Sequence, residues 1–243
     1  MLRRTFLVLA VLVLGLAPAA TAKKKAPALE FRGQVTVATG TTFAGTSVGG
    51  LSSIAHAGGG VFYALSDDQA NARFYRLHAD IADGQLSPGD ITFQSVTILK
   101  QPDGTPYPTA SLDPEGFALT KHNRQAIVTS EGFANTAVPP WIRVYNLDGS
   151  YVRDLPLPDK FLPIAGGGRG VRQNLGFESA ATRGKHLYTG TEAGLQNEDP
   201  PSLTATTPIV NSSAANAGRA SPICTTCHEM SAALGNTATA TAT

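Results

Sequence analysis

Short runs of apolar, β-branched and aromatic residues recur along most of the chain, and glycine, asparagine and aspartate separate them. Such runs bounded by turn residues are typical of β-strands. They lie at 61–65, 73–77, 91–99, 126–128, 142–145 and 186–188, with turn residues at 58–60, 148–149 and 183–185. No segment combines the apolar periodicity of an amphipathic helix with helix-capping residues. The pattern predicts an all-β fold.

Three segments of similar sequence repeat at an offset of 63 residues, beginning at Ser52, Glu115 and Glu178. Each segment leads through a polar turn into an apolar strand that ends on acidic residues. These acids are Asp67, Asp68, Glu131 and Glu192. With two further strands before the next repeat, each unit makes a four-stranded antiparallel blade, and radial repetition of blades gives a β-propeller. A β-sandwich with similar hairpins is the alternative.

The ends of the chain differ from this repeat region. Residues 1–22 combine Arg3 and Arg4, an apolar run at 5–16 and the small residues Ala20 and Ala22, which is the pattern of a signal peptide. The run is too short to span a bilayer. We therefore expect a secreted or periplasmic protein that is cleaved after Ala22 and then has no transmembrane segment. A basic leader at 23–32 precedes the predicted propeller at 33–199.

Residues 200–243 form a low-complexity segment that is rich in alanine, serine and threonine and has no aromatic residue. Such a composition buries too little apolar surface to offset the entropy of ordering, so we expect a disordered tail. The repeat would then stop after about two and a half blades, with the strand at 186–191 left as an unpaired edge. A reading-frame change near codon 199 would explain the shift, and missing blades would impair activity.

Composition excludes some partners. The chain has 243 residues, of which 15% are charged, and a formal net charge of +1. Without a basic surplus, we expect no nucleic-acid binding. Its 2 cysteines cannot form a disulfide framework. Cys224, Cys227 and His228 fit the attachment pattern of haem c, but few residues follow and the surrounding composition is that of the tail. We therefore do not expect haem at this motif.

Two glycine-rich motifs have simpler interpretations as loops. Residues 45–49 fit the G-x-S-x-G pattern of a hydrolase nucleophile, but glycines and a strand follow where that motif needs a helix. The cluster at 166–170 lacks the lysine and serine or threonine of a phosphate-binding loop. We interpret the first as a turn and the second as a flexible loop.

Several motifs together resemble the phytase-like family, described by the esterase-like activity of phytase. The matching stretches lie at 49–54, 64–68, 73–75, 113–116, 130–131, 139–143, 172–178 and 191–192. Ser53 and Ser179 stand where Gly116 stands in the second repeat. The resemblance covers roughly residues 33–199 and implies a β-propeller that acts on a small-molecule phosphoester or ester.

The repeated acids predict a cation site, because equivalent positions of successive blades converge on the central channel. Clustered carboxylates repel one another unless a cation lies between them, and oxygen ligands suit Ca²⁺. The candidate ligands are Asp67, Asp68, Glu115, Glu131, Glu178 and Glu192. Arg143, Arg169 and Arg172 could bind substrate phosphate through forked donors. The alternative is that these acids only bond turn amides or pair with arginines.

We therefore expect a calcium-dependent phosphoesterase or esterase. No pair of nucleophile and base can be assigned from the sequence, so the catalytic residues stay unknown. The alternative is a non-catalytic propeller that binds a ligand or a partner.

Overall fold

The computed structural model describes residues 30–197 and the backbone of a strand at Cys227–Met230. The chain divides into two units, Met1–Phe31 and Arg32–Thr243, and the elements below belong to the second. The strands in the described part are β1 (Thr42–Phe43), β2 (Thr46–Ser47), β3 (Leu51–Gly58), β4 (Val61–Ser66), β5 (Arg73–Ala79), β6 (Ile91–Ile98), β7 (Pro114–Leu119), β8 (Gln125–Ser130), β9 (Trp141–Asn146), β10 (Tyr151–Leu155), β11 (Ala181–Arg183), β12 (His186–Gly190) and β13 (Cys227–Met230). Short 3₁₀ helices lie at Lys121–Asn123, Ala134–Thr136 and Asp159–Phe161. The predicted all-β fold is confirmed.

The strands form consecutive antiparallel sheets. β3, β4, β5 and β6 make one four-stranded sheet in chain order, and β7, β8, β9 and β10 make the second. β11, β12 and β13 form a third sheet, while β1 and β2 form a separate hairpin. These four-stranded meanders are the predicted blades, and they agree with part of a β-propeller.

Apolar side chains fill the space between successive sheets. Phe74 of the first sheet lies 5.2 Å from Phe117 of the second, measured between ring centroids, and Leu65 packs in the same cluster. On its other face the second sheet packs Ile142 against Leu187 of the third sheet, in a second cluster. The middle sheet is therefore buried on both faces, as a propeller blade is between its neighbours.

The first strands of the three sheets lie side by side. The backbone N–H of Phe117 in β7 donates to Ser53 Oγ in β3 over 3.0 Å. Thr182 Oγ1 in β11 donates to the carbonyl of Leu119 in β7 over 2.7 Å. These bonds join residues about one repeat apart, so β3, β7 and β11 are the inner strands of successive blades.

The hairpin of β1 and β2 contains the residues of the G-x-S-x-G pattern. Ser47 pairs with Thr42 in this hairpin, and β3 follows directly, with no helix between. The interpretation of this motif as a turn is confirmed, because a nucleophile elbow needs a helix after the serine.

One expectation about the third sheet is wrong. The strand at 186–191 was expected to end in an unpaired edge, but β12 pairs with β13 in antiparallel register, with Gly190 opposite Cys227. Apart from β13, the predicted tail at 200–243 lies outside the described residues. The predicted signal peptide and most of the basic leader also lie outside them, as does Cys224.

No helix in the described part of the chain is long and apolar enough to cross a membrane.

Candidate functional site

The same backbone hydrogen bond recurs in each of the three sheets. In each sheet, the donor is the backbone N–H of the acid that follows the second strand. The acceptor is the carbonyl of the residue that lies two positions before the repeated segment, near the start of the inner strand. The three bonds run from Asp67 N to Gly50 O (2.8 Å), from Glu131 N to Asp113 O (3.0 Å) and from Glu192 N to Gly176 O (2.9 Å). The repeat seen in the sequence is therefore a repeat in backbone geometry, which places its acids at one end of the inner strands.

Three of these acids converge on one point. Glu131 follows β8, Glu178 precedes β11 and Glu192 follows β12. One carboxylate oxygen of each lies within 4.8 Å of the others. Glu131 is 2% exposed, Glu178 is partly exposed and Glu192 is exposed. The group therefore runs from the protein interior to solvent.

Glu115 lies in the electrostatic field of the same acids. Burial, followed by the negative charges of Glu178, Asp113 and Asp67 in that order, raises the pKa of its carboxyl group to about 7. We call Asp67, Asp113, Glu115, Glu131, Glu178 and Glu192 the acidic group.

Burial, together with a hydrogen bond to Glu178 and the charge of Glu178, raises the pKa of Glu131 to about 8. The backbone N–H of Gly176 opposes it by donating to Glu131 Oε1 over 2.6 Å. Glu131 therefore keeps its proton near neutral pH in the absence of a cation.

The pKa values of Asp67 and Asp113, the two aspartates of the acidic group, are also raised. Burial, followed by the charges of Asp113 and Asp68, raises the pKa of Asp67. Burial raises the pKa of Asp113 as well, although a hydrogen bond from Gln69 lowers it in part. No lysine or arginine is among the main influences on Glu115 or Glu131. Arg73 lowers the pKa of Asp67, but by less than burial and the neighbouring acids raise it. The negative charge of the acidic group is therefore only partly compensated when its members ionise.

Two glycines allow the backbone to approach these acids. A Cβ on Gly50, which has a positive φ of 53°, would clash with Asp67 Oδ1. A Cβ on Gly176 would lie 2.9 Å from Cα and Cβ of Glu131. Larger residues at these two positions would push the acids away.

Asp68 has a different environment from its neighbour Asp67. Its Oδ2 pairs with Nη1 of the buried Arg73 over 2.5 Å, and its Oδ1 accepts from the backbone N–H groups of Ala70 and Asn71. Burial raises the pKa of Asp68, but these partners outweigh burial and lower it overall. Both oxygens are thus used within the turn, so the structure does not bring Asp68 into the acidic group.

Arg143 also lies away from the acidic group. Its Nε donates to Asp154 Oδ1 and its Nη1 to Tyr107 Oη, each over 2.8 Å. It borders a cavity formed by residues of the second sheet and nearby loops.

Arg169 and Arg172 lie on the glycine-rich loop after β10. Arg169 Nε donates to the carbonyl of Leu162. Arg172 donates to the carbonyls of Gly194 and Leu195, in the segment that directly follows Glu192. Of the three candidate substrate-binding arginines, Arg172 is therefore the one that hydrogen-bonds to the segment directly after Glu192.

Sequence reasoning missed Asp113 as a member of the acidic group. The signal was available, because Asp113 lies 63 residues after Gly50 and 63 residues before Gly176. An acid at this position is not part of the repeated pattern, because the first and third repeats hold glycine there.

The fold and the acidic group define a class of protein: a β-propeller with a carboxylate site at one end of its inner strands. Residues 46–222 match the phytase-like family, described by the esterase-like activity of phytase, and the chain belongs to this family. The match begins within the predicted propeller and extends beyond residue 199. No curated protein matches the chain, and no solved structure matches it.

Proposed function

We propose that the chain is a calcium-dependent phosphoesterase or esterase that acts on a small molecule. Family membership supports a phosphoesterase-like function. The acidic group supports the cation.

The observation that carries the proposal is the convergence of Glu131, Glu178 and Glu192 within 4.8 Å. Ca²⁺ binds oxygen atoms at about 2.3–2.6 Å, so two ligands on opposite sides of one ion are about 5 Å apart. The three carboxylates are thus spaced as ligands of a single ion. A cation would also supply the positive charge that the acidic group lacks.

Bound calcium would hold phosphate oxygens and favour ionisation of a water molecule. The protein would supply the ion's ligands through Glu131, Glu178 and Glu192. Glu115 exchanges its proton near neutral pH, because its pKa is about 7. A group with such a pKa suits general acid–base catalysis, so Glu115 is our candidate to move a proton.

Hydrolysis of p-nitrophenyl phosphate and of phytate, measured with Ca²⁺ and with a chelator, tests this proposal. We expect turnover that needs Ca²⁺ and falls at least about a hundredfold in Glu178→Gln, because one cation ligand loses its charge. Asp159→Asn is the matched control, since Asp159 is exposed and belongs to a 3₁₀ helix outside the acidic group. Its activity should equal that of the wild type.

The second candidate function is a non-catalytic propeller that binds a ligand or a partner. The contacts of Asp68 favour it, because this acid only fixes a turn. Calcium binding by a folded protein that hydrolyses no ester under any condition tested would support this candidate and contradict the enzyme.

We also propose export, on the grounds of residues 1–22. N-terminal sequencing of the protein from the periplasm or the medium should begin at Lys23. An intact Met1 would contradict cleavage.

A further inference from the structure

A cavity of about 500 Å³ lies beside the outer half of the second sheet, and the function proposed above does not use it. Trp141 and Arg143 from β9 line it, together with Asp154 and Leu155 from β10. Most of the remaining wall is apolar, with Val138, Pro139, Pro140, Pro156, Leu157 and Leu162. Gln101, Tyr107 and Ser111 add polar groups to the lining. The cavity thus combines one guanidinium group, paired with Asp154, with a wall that is apolar on the side of the prolines and leucines.

Arg143 is held in place from several directions. Asp154 accepts from its Nε and Tyr107 Oη accepts from its Nη1. The guanidinium carbon lies 4.5 Å from the ring centroid of Trp141, within the range of a cation–π contact. Tyr107 is itself fixed by a hydrogen bond of 2.6 Å with Tyr145. The side chain of Arg143 is 19% exposed, so neighbouring residues rather than solvent determine its orientation.

The second terminal nitrogen of Arg143 is the least used of its donors. Within the described part of the chain, Nε donates to Asp154 and Nη1 to Tyr107, whereas no hydrogen bond of good geometry joins Nη2 to an acceptor. The guanidinium group also acts on Tyr145: burial raises the pKa of Tyr145, and Arg143 lowers it in part through its charge and a hydrogen bond. The fold already holds this guanidinium group in place, so an anion that binds to it causes little further loss of side-chain entropy. A partly buried guanidinium group of this kind is suited to binding an anion.

The cavity is separate from the acidic group. None of the six acids lines it. Arg143 is not among the main influences on the pKa of Glu115 or Glu131. A ligand in the cavity would therefore bind independently of a cation at the acidic group.

We propose that this cavity binds a small organic carboxylate with an apolar body. The carboxylate would accept from Nη2 of Arg143, and the apolar body would lie against the prolines and leucines. A monoanion fits better than a phosphate dianion, because Asp154 already compensates part of the charge of Arg143. The proposal does not depend on phosphoesterase activity.

Trp141 provides a direct measurement, since it is the 1 tryptophan of the chain and lies under Arg143. The full-length protein is titrated with cyclohexanecarboxylate and, separately, with cyclohexylmethanol, while tryptophan fluorescence is recorded. We expect a saturable change and an affinity for the carboxylate at least about tenfold above that for the alcohol, as for a hydrogen bond to a charged group. Equal affinity for the two probes, or no response to either, would overturn the proposal.

Arg143→Gln should lower the affinity for the carboxylate about tenfold and leave that for the alcohol unchanged. Arg153→Gln is the matched control, because Arg153 lies on β10 beside Asp154 but does not line the cavity. An unchanged affinity in Arg143→Gln would contradict the proposal. If that variant does not fold, the comparison of the two probes on the wild type still decides.

Chelation of calcium and Glu178→Gln distinguish this site from the acidic group. Neither should change carboxylate binding. Loss of binding in both would place the anion at a cation in the acidic group and overturn the proposal of a separate site.

Discussion

Glu131 shows how one side chain can connect two blades. It follows β8 of the second sheet, yet its Oε1 accepts from the N–H of Gly176, which precedes the inner strand of the third sheet. The contact is close because Gly176 has no side chain. The position of this carboxylate thus depends on a glycine 45 residues further along the sequence.

Gly176→Ala tests this dependence. The added methyl group would lie 2.9 Å from Cα and Cβ of Glu131, so the backbone of one blade must shift. We expect a loss of about 1–3 kcal/mol in the free energy of unfolding, as for overpacked sites, and weaker calcium binding. Urea denaturation and calcium titration measure the two effects.

Gly49→Ala is the matched control. Both glycines lie outside the left-handed region, but a Cβ on Gly49 would meet no atom within 4 Å. Its stability should change by less than about 0.5 kcal/mol. Equal effects of the two substitutions would contradict the role assigned to the close contact at Gly176.

At the scale of strands, the buried strands could be located from the sequence, whereas more exposed strands could not. The run at 126–128 predicted β8, whose residues are buried from Ala126 to Ser130. A fourth strand per blade was predicted, but not the position of β10 (Tyr151–Leu155), because this outer strand alternates between partly buried and exposed residues before the buried Leu155 and contains Arg153 and Asp154. A buried strand shows itself through continuous apolar residues, whereas an outer strand forms only when its neighbour offers a hydrogen-bonding edge.

The pairing of β12 shows the same limit. The composition after residue 199 indicated no strand, yet β13 pairs with β12 along four residues. Strand pairing uses backbone groups that every residue except proline carries, so a segment without a continuous apolar run can still extend a sheet.

At the scale of the whole molecule, the acidic group links stability to pH and to cations. Glu115 and Glu131 have pKa values of about 7 and 8, above the ordinary value of 4.5. At pH values between 4.5 and about 8, the folded chain therefore binds more protons at these two groups than the unfolded chain does. Stability should therefore fall as the pH rises from about 5 to 8 without calcium. The aspartates with lowered pKa values, including Asp68, act below their ordinary value of 3.8, outside this range.

We expect the Tm to fall by about 5 °C from pH 5 to pH 8 in the presence of a chelator, on the scale of 2–4 °C per kcal/mol for a domain of this size. Calcium should restore most of the loss at pH 8, because a cation stabilises the ionised carboxylates. Thermal melts at four pH values, with and without Ca²⁺, measure both effects. Glu131→Gln should flatten the pH dependence, and a Tm that rises over this range in the chelator would contradict the assignment.

The sequence by itself determined the fold class, the blade repeat and the family. These depend on the order of residues along the chain, namely the apolar runs, the turn residues and the offset of 63 residues, which can be read without knowing the folded structure. It also identified the acids of the repeat, because equivalent positions in successive blades lie at the same end of the inner strands.

The tertiary structure alone decided which charged groups share a site. Asp67 and Asp68 are neighbours in the sequence, but only Asp67 faces the acidic group, because the buried Arg73 holds Asp68. Arg143 and Glu131 are both charged residues of the second sheet, yet one borders a cavity and the other contacts the third sheet. Charges interact over a few ångströms through space, and a sequence offset specifies a strand end but not the direction of a side chain or its partners.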